Sequence, residues 1–90
     1  MNTKFMKALY QLDQGKYEEA ESNIKSALSE TTNIYELLEI NSCYAELLYE
    51  LERYEEAMKC VNYILNNCEE FEGSTAYETA LEIKSNIEEQ

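Results

Sequence analysis

The sequence predicts an all-α domain, and three observations predict it. Proline is absent and only two glycines, Gly15 and Gly73, interrupt 90 residues rich in Glu, Leu, Ala and Lys, all of which favour helix. Apolar residues recur at three- and four-residue spacing in five separate stretches. A sheet protein of this size needs turn residues every eight to twelve positions or so, and this chain does not supply them.

The first segment, residues 3–13, places Phe5, Ala8, Leu9 and Leu12 on one side. Gly15 ends it, offering a backbone position that tolerates positive φ. The second, residues 17–29, carries Tyr17, Ala20, Ile24, Ala27 and Leu28, with Glu18, Glu19 and Glu21 near its positive end. Residues 29–33 form a polar connection in which Asn33 is placed to cap the next helix. The third segment, residues 34–52, has the stripe Ile34, Leu37, Leu38, Tyr44, Ala45, Leu48 and Leu51. The fourth, residues 54–67, has Tyr54, Ala57, Cys60, Val61, Ile64 and Leu65. An acidic loop, residues 69–73, leads past an approximate cap at Ser74. The fifth, residues 75–88, uses Tyr77, Ala80, Leu81, Lys84 and Ile87 as its less polar side.

Length and composition bound the rest. Ninety residues make one domain with a thin core, burying about 60–65% of the unfolded surface. A hydrophobic fraction of 44% suits a folded chain. The net charge is −12 and uneven: residues 1–33 carry −1 and residues 34–90 carry −11. Such a field disfavours direct binding to nucleic acid or anionic lipid and attracts basic partners. A solvated acidic surface that aids solubility accounts for the same charge. Three cysteines, Cys43, Cys60 and Cys68, show no CxxC spacing. Cys60 and Cys68 would lie roughly 12 Å apart along one helix, too far for a disulfide, so reduced thiols in a cytoplasmic protein are expected. The start, Met1-Asn2-Thr3-Lys4, leads straight into an amphipathic segment, so no signal peptide is expected, and no apolar run approaches a membrane span.

Self-similarity is the most informative signal. Tyr17-Glu18-Glu19-Ala20 recurs as Tyr54-Glu55-Glu56-Ala57, a shift of 37. At the same shift Ala8 meets Ala45, Lys16 meets Arg53, Ile24 meets Val61, Ala27 meets Ile64 and Leu28 meets Leu65. Small residues fall where two helices must cross closely, and a tyrosine falls at each turn, where its ring can fill the wedge while its hydroxyl reaches water.

Over residues 3–67 the chain resembles the tetratricopeptide repeat family. The resemblance rests on the small residue of the first helix, the Gly-Lys-Tyr-Glu-Glu-Ala turn, and the Ala-Leu near the end of the second helix. Three-helix microtubule-interacting-and-trafficking domains carry a similar stretch, but two copies point to the repeat family. Departures exist: Lys4 and Asn41 replace the usual Trp, Lys7-Ala8 and Tyr44-Ala45 the Leu-Gly pair, and Thr32 and Glu69 the Pro. The period is three residues longer than the family's usual thirty-four or so.

The resemblance implies a right-handed stack of antiparallel hairpins, residues 3–29 and 34–67, closed by a capping helix at residues 75–88. It further implies a concave groove lined by the first helix of each pair. That set would be Asn2, Phe5, Leu9, Leu12 and Asp13, then Glu39, Ser42, Glu46, Tyr49 and Glu50, with Glu78 and Glu82 from the last helix. A basic peptide with large apolar residues would suit it. The positions that bind terminal carboxylates in chaperone-tail repeats hold Phe5, Leu9, Ser42 and Glu46 here, so no carboxylate clamp is expected.

Chemistry is expected to be absent. The chain has no His, and the paired glutamates are neighbours on exposed faces. Glu69, Glu70 and Glu72 lack the EF-hand pattern, and no phosphate loop occurs, so neither metal nor cofactor is expected. Of eight tyrosines, Tyr35 and Tyr49 are the expected exposed pair, while Tyr10, Tyr17, Tyr44, Tyr54, Tyr63 and Tyr77 fall on or beside apolar stripes. The leading expectation is a non-catalytic protein-binding adaptor. The alternatives are a small acidic inhibitor or immunity-type protein that blocks a basic nucleic-acid-binding surface, and a structural subunit stacking on a larger array or a second copy as a homodimer.

Overall fold

The computed structural model describes residues 2–67 and 74–89. These residues form five α-helices and no strand: α1 (Thr3–Asp13), α2 (Tyr17–Glu30), α3 (Ile34–Glu50), α4 (Tyr54–Asn66) and α5 (Thr75–Glu88). The expected segments are all present. Cys68 and the acidic loop of residues 69–73 lie outside the described residues. The chain divides into two compact units, Met1–Ile40 and Asn41–Gln90, the division falling inside α3.

In the first unit α1 and α2 form an antiparallel hairpin. Asn2 Oδ1 caps α1 by accepting from the Phe5 amide at 3.1 Å, and Asn2 Nδ2 donates to the Ala27 carbonyl at 3.4 Å. Lys4 pairs with Glu30 at 2.7 Å, tying the start of one helix to the end of the other. Ala8, Ala20 and Ala27 are wholly buried, which lets the helices approach closely around Ile24. Gln11 is buried too, and its side chain is satisfied: Asn23 Nδ2 donates to Gln11 Oε1 at 2.7 Å, and Gln11 Nε2 donates to Glu19 at 3.4 Å. Asn33 Oδ1 then accepts from the Tyr35 and Glu36 amides, capping α3 as expected.

In the second unit α4 packs on α5. The buried set is Asn41, Ser42, Tyr44, Ala45, Leu47 and Leu48 from α3, Ala57, Cys60, Val61 and Ile64 from α4, and Ala80 and Ile83 from α5. Ser74 caps α5 by accepting from the Tyr77 amide at 3.2 Å. Burial pushes the Cys60 thiol up to about 11, with the charge of Glu56 adding to it.

The two turns share one geometry. Gly15 adopts φ 76°, and its amide donates to the Leu12 carbonyl while the Lys16 amide donates to that of Gln11. Thirty-seven residues on, Glu52 adopts φ 61°, its amide donates to the Tyr49 carbonyl, and the Arg53 amide donates to that of Leu48. Both are Schellman C-caps with a left-handed residue after the helix. The residues that open the following helices also match, Lys16 at φ −89°, ψ 70° and Arg53 at φ −93°, ψ 68°.

Several stripe assignments shift. Leu9, Leu51 and Leu81 are exposed, while Gln11, Ile40, Leu47 and Ile83 are buried instead. On α1 the packed face centres on Ala8, and Gln11, three residues on, shares it; Leu9 points aside. Tyr10 and Tyr17, expected to pack, are exposed, and Tyr49, expected to be exposed, is half-buried with its ring 5.5 Å from that of Tyr54.

Candidate functional site

The groove positions implied by the repeat show the same gradation in each unit. Phe5 and its counterpart Ser42 are buried, at 6% and 7% exposure, so neither offers its side chain to a partner. Leu9 and Glu46 are exposed, Leu12 and Tyr49 are half-buried, and Asp13 and Glu50 are exposed. A 37-residue shift therefore preserves accessibility at these four pairs even where the residue type changes from apolar to acidic, whereas Asn2 is half-buried and its counterpart Glu39 is exposed.

In the first unit a small cleft of roughly 170 Å³ is lined by Asn2, Phe5, Glu36, Glu39 and Ile40. Glu39 stands exposed at its edge. Leu9 and Leu12 lie farther along α1 and do not line this cleft.

The second unit brings more of the expected residues together. Glu46, Tyr49 and Glu50 of α3 face Thr79, Glu82, Ile83 and Asn86 of α5 across a cleft of roughly 150 Å³. The spacing on α3 explains the arrangement: positions 46, 49 and 50 share a helix face, as do 79, 82, 83 and 86. Glu78 is exposed on α5 but outside this cleft. Although Glu46 is exposed as a residue, partial burial of its carboxyl in this cleft raises it above the usual carboxylate range, and the charges of Glu50 and Glu82 raise it further. Three carboxylates thus share a small space beside an aromatic ring and an aliphatic floor. Thr79, Ile83 and Asn86 complete the cleft and were not anticipated; the i+3 and i+4 neighbours of Glu82 would have identified them.

No family model, curated protein or solved structure matches the chain. Among the described residues, no helix is long and apolar enough to cross a membrane. What the arrangement offers chemically is a negatively charged recess with one ring face, suited to holding a cation on an aliphatic stem.

Proposed function

We propose that this chain is a non-catalytic protein-binding module of the tetratricopeptide-repeat type, its hairpins stacking in a right-handed array closed by α5. The observation that carries this reading is the repeated turn, with the same C-cap hydrogen bonds and the same left-handed residue at a spacing of 37. The partner is a protein segment bearing Lys or Arg beside an apolar residue. Glu46, Glu50 and Glu82 select the cation, while Tyr49 and Ile83 contact the aliphatic stem. Leu9, Leu12, Asp13 and Glu39 belong to the first unit, and with Glu78 they lie outside this cleft. The working location is the cytoplasm, consistent with Cys60 being a buried thiol.

Titration with labelled peptides tests this reading. A basic and apolar peptide should bind, with Tyr49→Ala weakening it about tenfold, near 1.4 kcal/mol. Binding that survives charge reversal at both Glu46 and Glu82 would refute the assignment, as would failure of every basic and apolar peptide to bind.

The −11 carried by residues 34–90 favours a second reading, an acidic inhibitor that occupies a basic nucleic-acid-binding surface. Salt separates the two. An inhibitor of that kind loses affinity steeply with salt and tolerates Tyr49→Ala, whereas a cleft binder responds modestly to salt and strongly to that substitution.

A further inference from the structure

The 37-residue correspondence sets α1 and α2 beside α3 and α4 for comparison. Ala8 with Ala45, Ala20 with Ala57 and Ile24 with Val61 are wholly buried and alike in chemistry, and the two turns share one geometry. Such likeness carries a hazard. By these positions alone α1 would accept α4 as readily as α2, and α3 would accept α2 as readily as α4, within one chain or between two.

Two pairs of buried positions differ, and they differ reciprocally. Asn23 Nδ2 of α2 donates to Oε1 of the buried Gln11 of α1 at 2.7 Å. Thirty-seven residues on, the same two places hold Leu48 of α3 and Cys60 of α4, both buried. Burial pushes the Cys60 thiol up to about 11, so it stays neutral and this second pair is apolar. At the open end of the motif, volume is exchanged instead. Phe5 and Ala27 in the first copy become Ser42 and Ile64 in the second, all four buried. Asn2, one turn before Phe5, donates to the Ala27 carbonyl at 3.4 Å, which sets that end of α1 against that end of α2. A large residue with a small one thus becomes a small residue with a large one.

We infer that these two exchanges form a pairing code that matches α1 to α2 and α3 to α4 and excludes the crossed hairpins. A crossed α1–α4 pair sets the Gln11 amide against a thiol that cannot replace the Asn23 hydrogen bond, and Phe5 against Ile64, which overfills the space. A crossed α3–α2 pair sets Asn23 against Leu48, and Ser42 against Ala27, which leaves a void. Each wrong pairing is penalised twice, while the native pairings meet neither penalty. Specificity of this kind comes from what the alternatives lose rather than from added native contacts.

Refolding of the full chain under reducing conditions tests the inference. Gln11→Leu with Asn23→Cys gives the first copy the buried pair of the second. The melting temperature of this double variant should match or exceed that of the wild type, because Glu19, the other partner of Gln11, is exposed to water. Its fidelity should fall. After dilution from denaturant, the fraction that fails to regain the wild-type elution position and circular dichroism should rise at least about fivefold. Adding Phe5→Ser with Ala27→Ile should raise it again. Asn23→Cys alone should lower the melting temperature by about 4–8 °C, since Gln11 Oε1 loses its donor, and adding Gln11→Leu should recover it. Gln14→Leu with Ser22→Cys introduces the same residues at exposed positions and should refold as the wild type does. A double variant that refolds as faithfully as the wild type overturns the inference. So do additive effects of its two substitutions on the melting temperature, or an equal loss of fidelity in the surface control. None of the substituted positions lines the Glu46 cleft, so peptide binding there is a separate readout.

Discussion

Glu46 illustrates what a single side chain contributes in this protein. Its carboxyl is held above the ordinary range first by burial, then by Glu50 and Glu82. A raised carboxyl binds its proton more tightly in the folded state, so the folded state is favoured at pH values below the unfolded carboxylate pKa. That contribution is lost as pH rises through the folded pKa. At neutral pH the ionised Glu46 therefore opposes folding, and Glu46→Gln should raise the melting temperature there. The gain should vanish in acid, where both forms are neutral; thermal unfolding of both proteins across pH 3–7 or so checks the sign. A bound cation should reverse the shift, and binding near the Glu46 pKa should release protons. That positions 46, 49, 50 and 82 belong together was implied by the resemblance to the repeat family. The burial of Phe5 and Ser42 was not, because spacing places a residue on a face without telling how deep that face sits.

At the level of elements, the two C-caps make the clearest comparison. Gly15 adopts its left-handed φ without steric penalty, and a Cβ added there would meet nothing within 4 Å. Gly15→Ala should therefore cost only the backbone penalty of about 1–2 kcal/mol, less about 0.5–1 regained from the stiffer unfolded chain, for a net loss of about 0.5–1 kcal/mol. Glu52 already bears that penalty at φ 61°. Glu52→Gly should remove about 1–2 kcal/mol of strain and return about 0.5–1 through the freer unfolded chain, for a net stabilisation of about 0.5–1 kcal/mol. Denaturant titration of both variants measures the two effects. The five helices were legible because caps and breakers mark their ends: Asn33 and Ser74 accept the amides that their positions promised. Their packed faces were less so. On α3, Leu38, Ile40, Asn41, Ser42, Tyr44, Ala45, Leu47 and Leu48 are all buried, so no single stripe describes it. A helix covered on most of its sides defeats a reading that looks for one apolar face.

For the molecule as a whole, charge is the dominant property. Nineteen acids stand against seven bases, and the ion pairs Lys4–Glu30 and Arg53–Glu56 lie towards the surface, where each is worth little, while Lys25 reaches a half-buried Glu21. Self-repulsion then weighs on the folded state, and screening should relieve it. Raising the salt from a few millimolar to about 0.1 M, where the Debye length falls to about 10 Å, should lift the melting temperature by several degrees. A decrease would mean that the surface pairs matter more than the net charge. The total charge was plain in the sequence. Which acids share a cleft depended on how α3 and α5 face one another, and that is a tertiary fact. The matching backbone at Lys16 and Arg53 has a different kind of consequence. A segment running from one to just before the other begins and ends in the same conformation, so a cassette of that length could be spliced in again or cut out without torsional mismatch at the seam. Gene duplication at such a join would lengthen the protein by whole modules and leave each existing corner undisturbed.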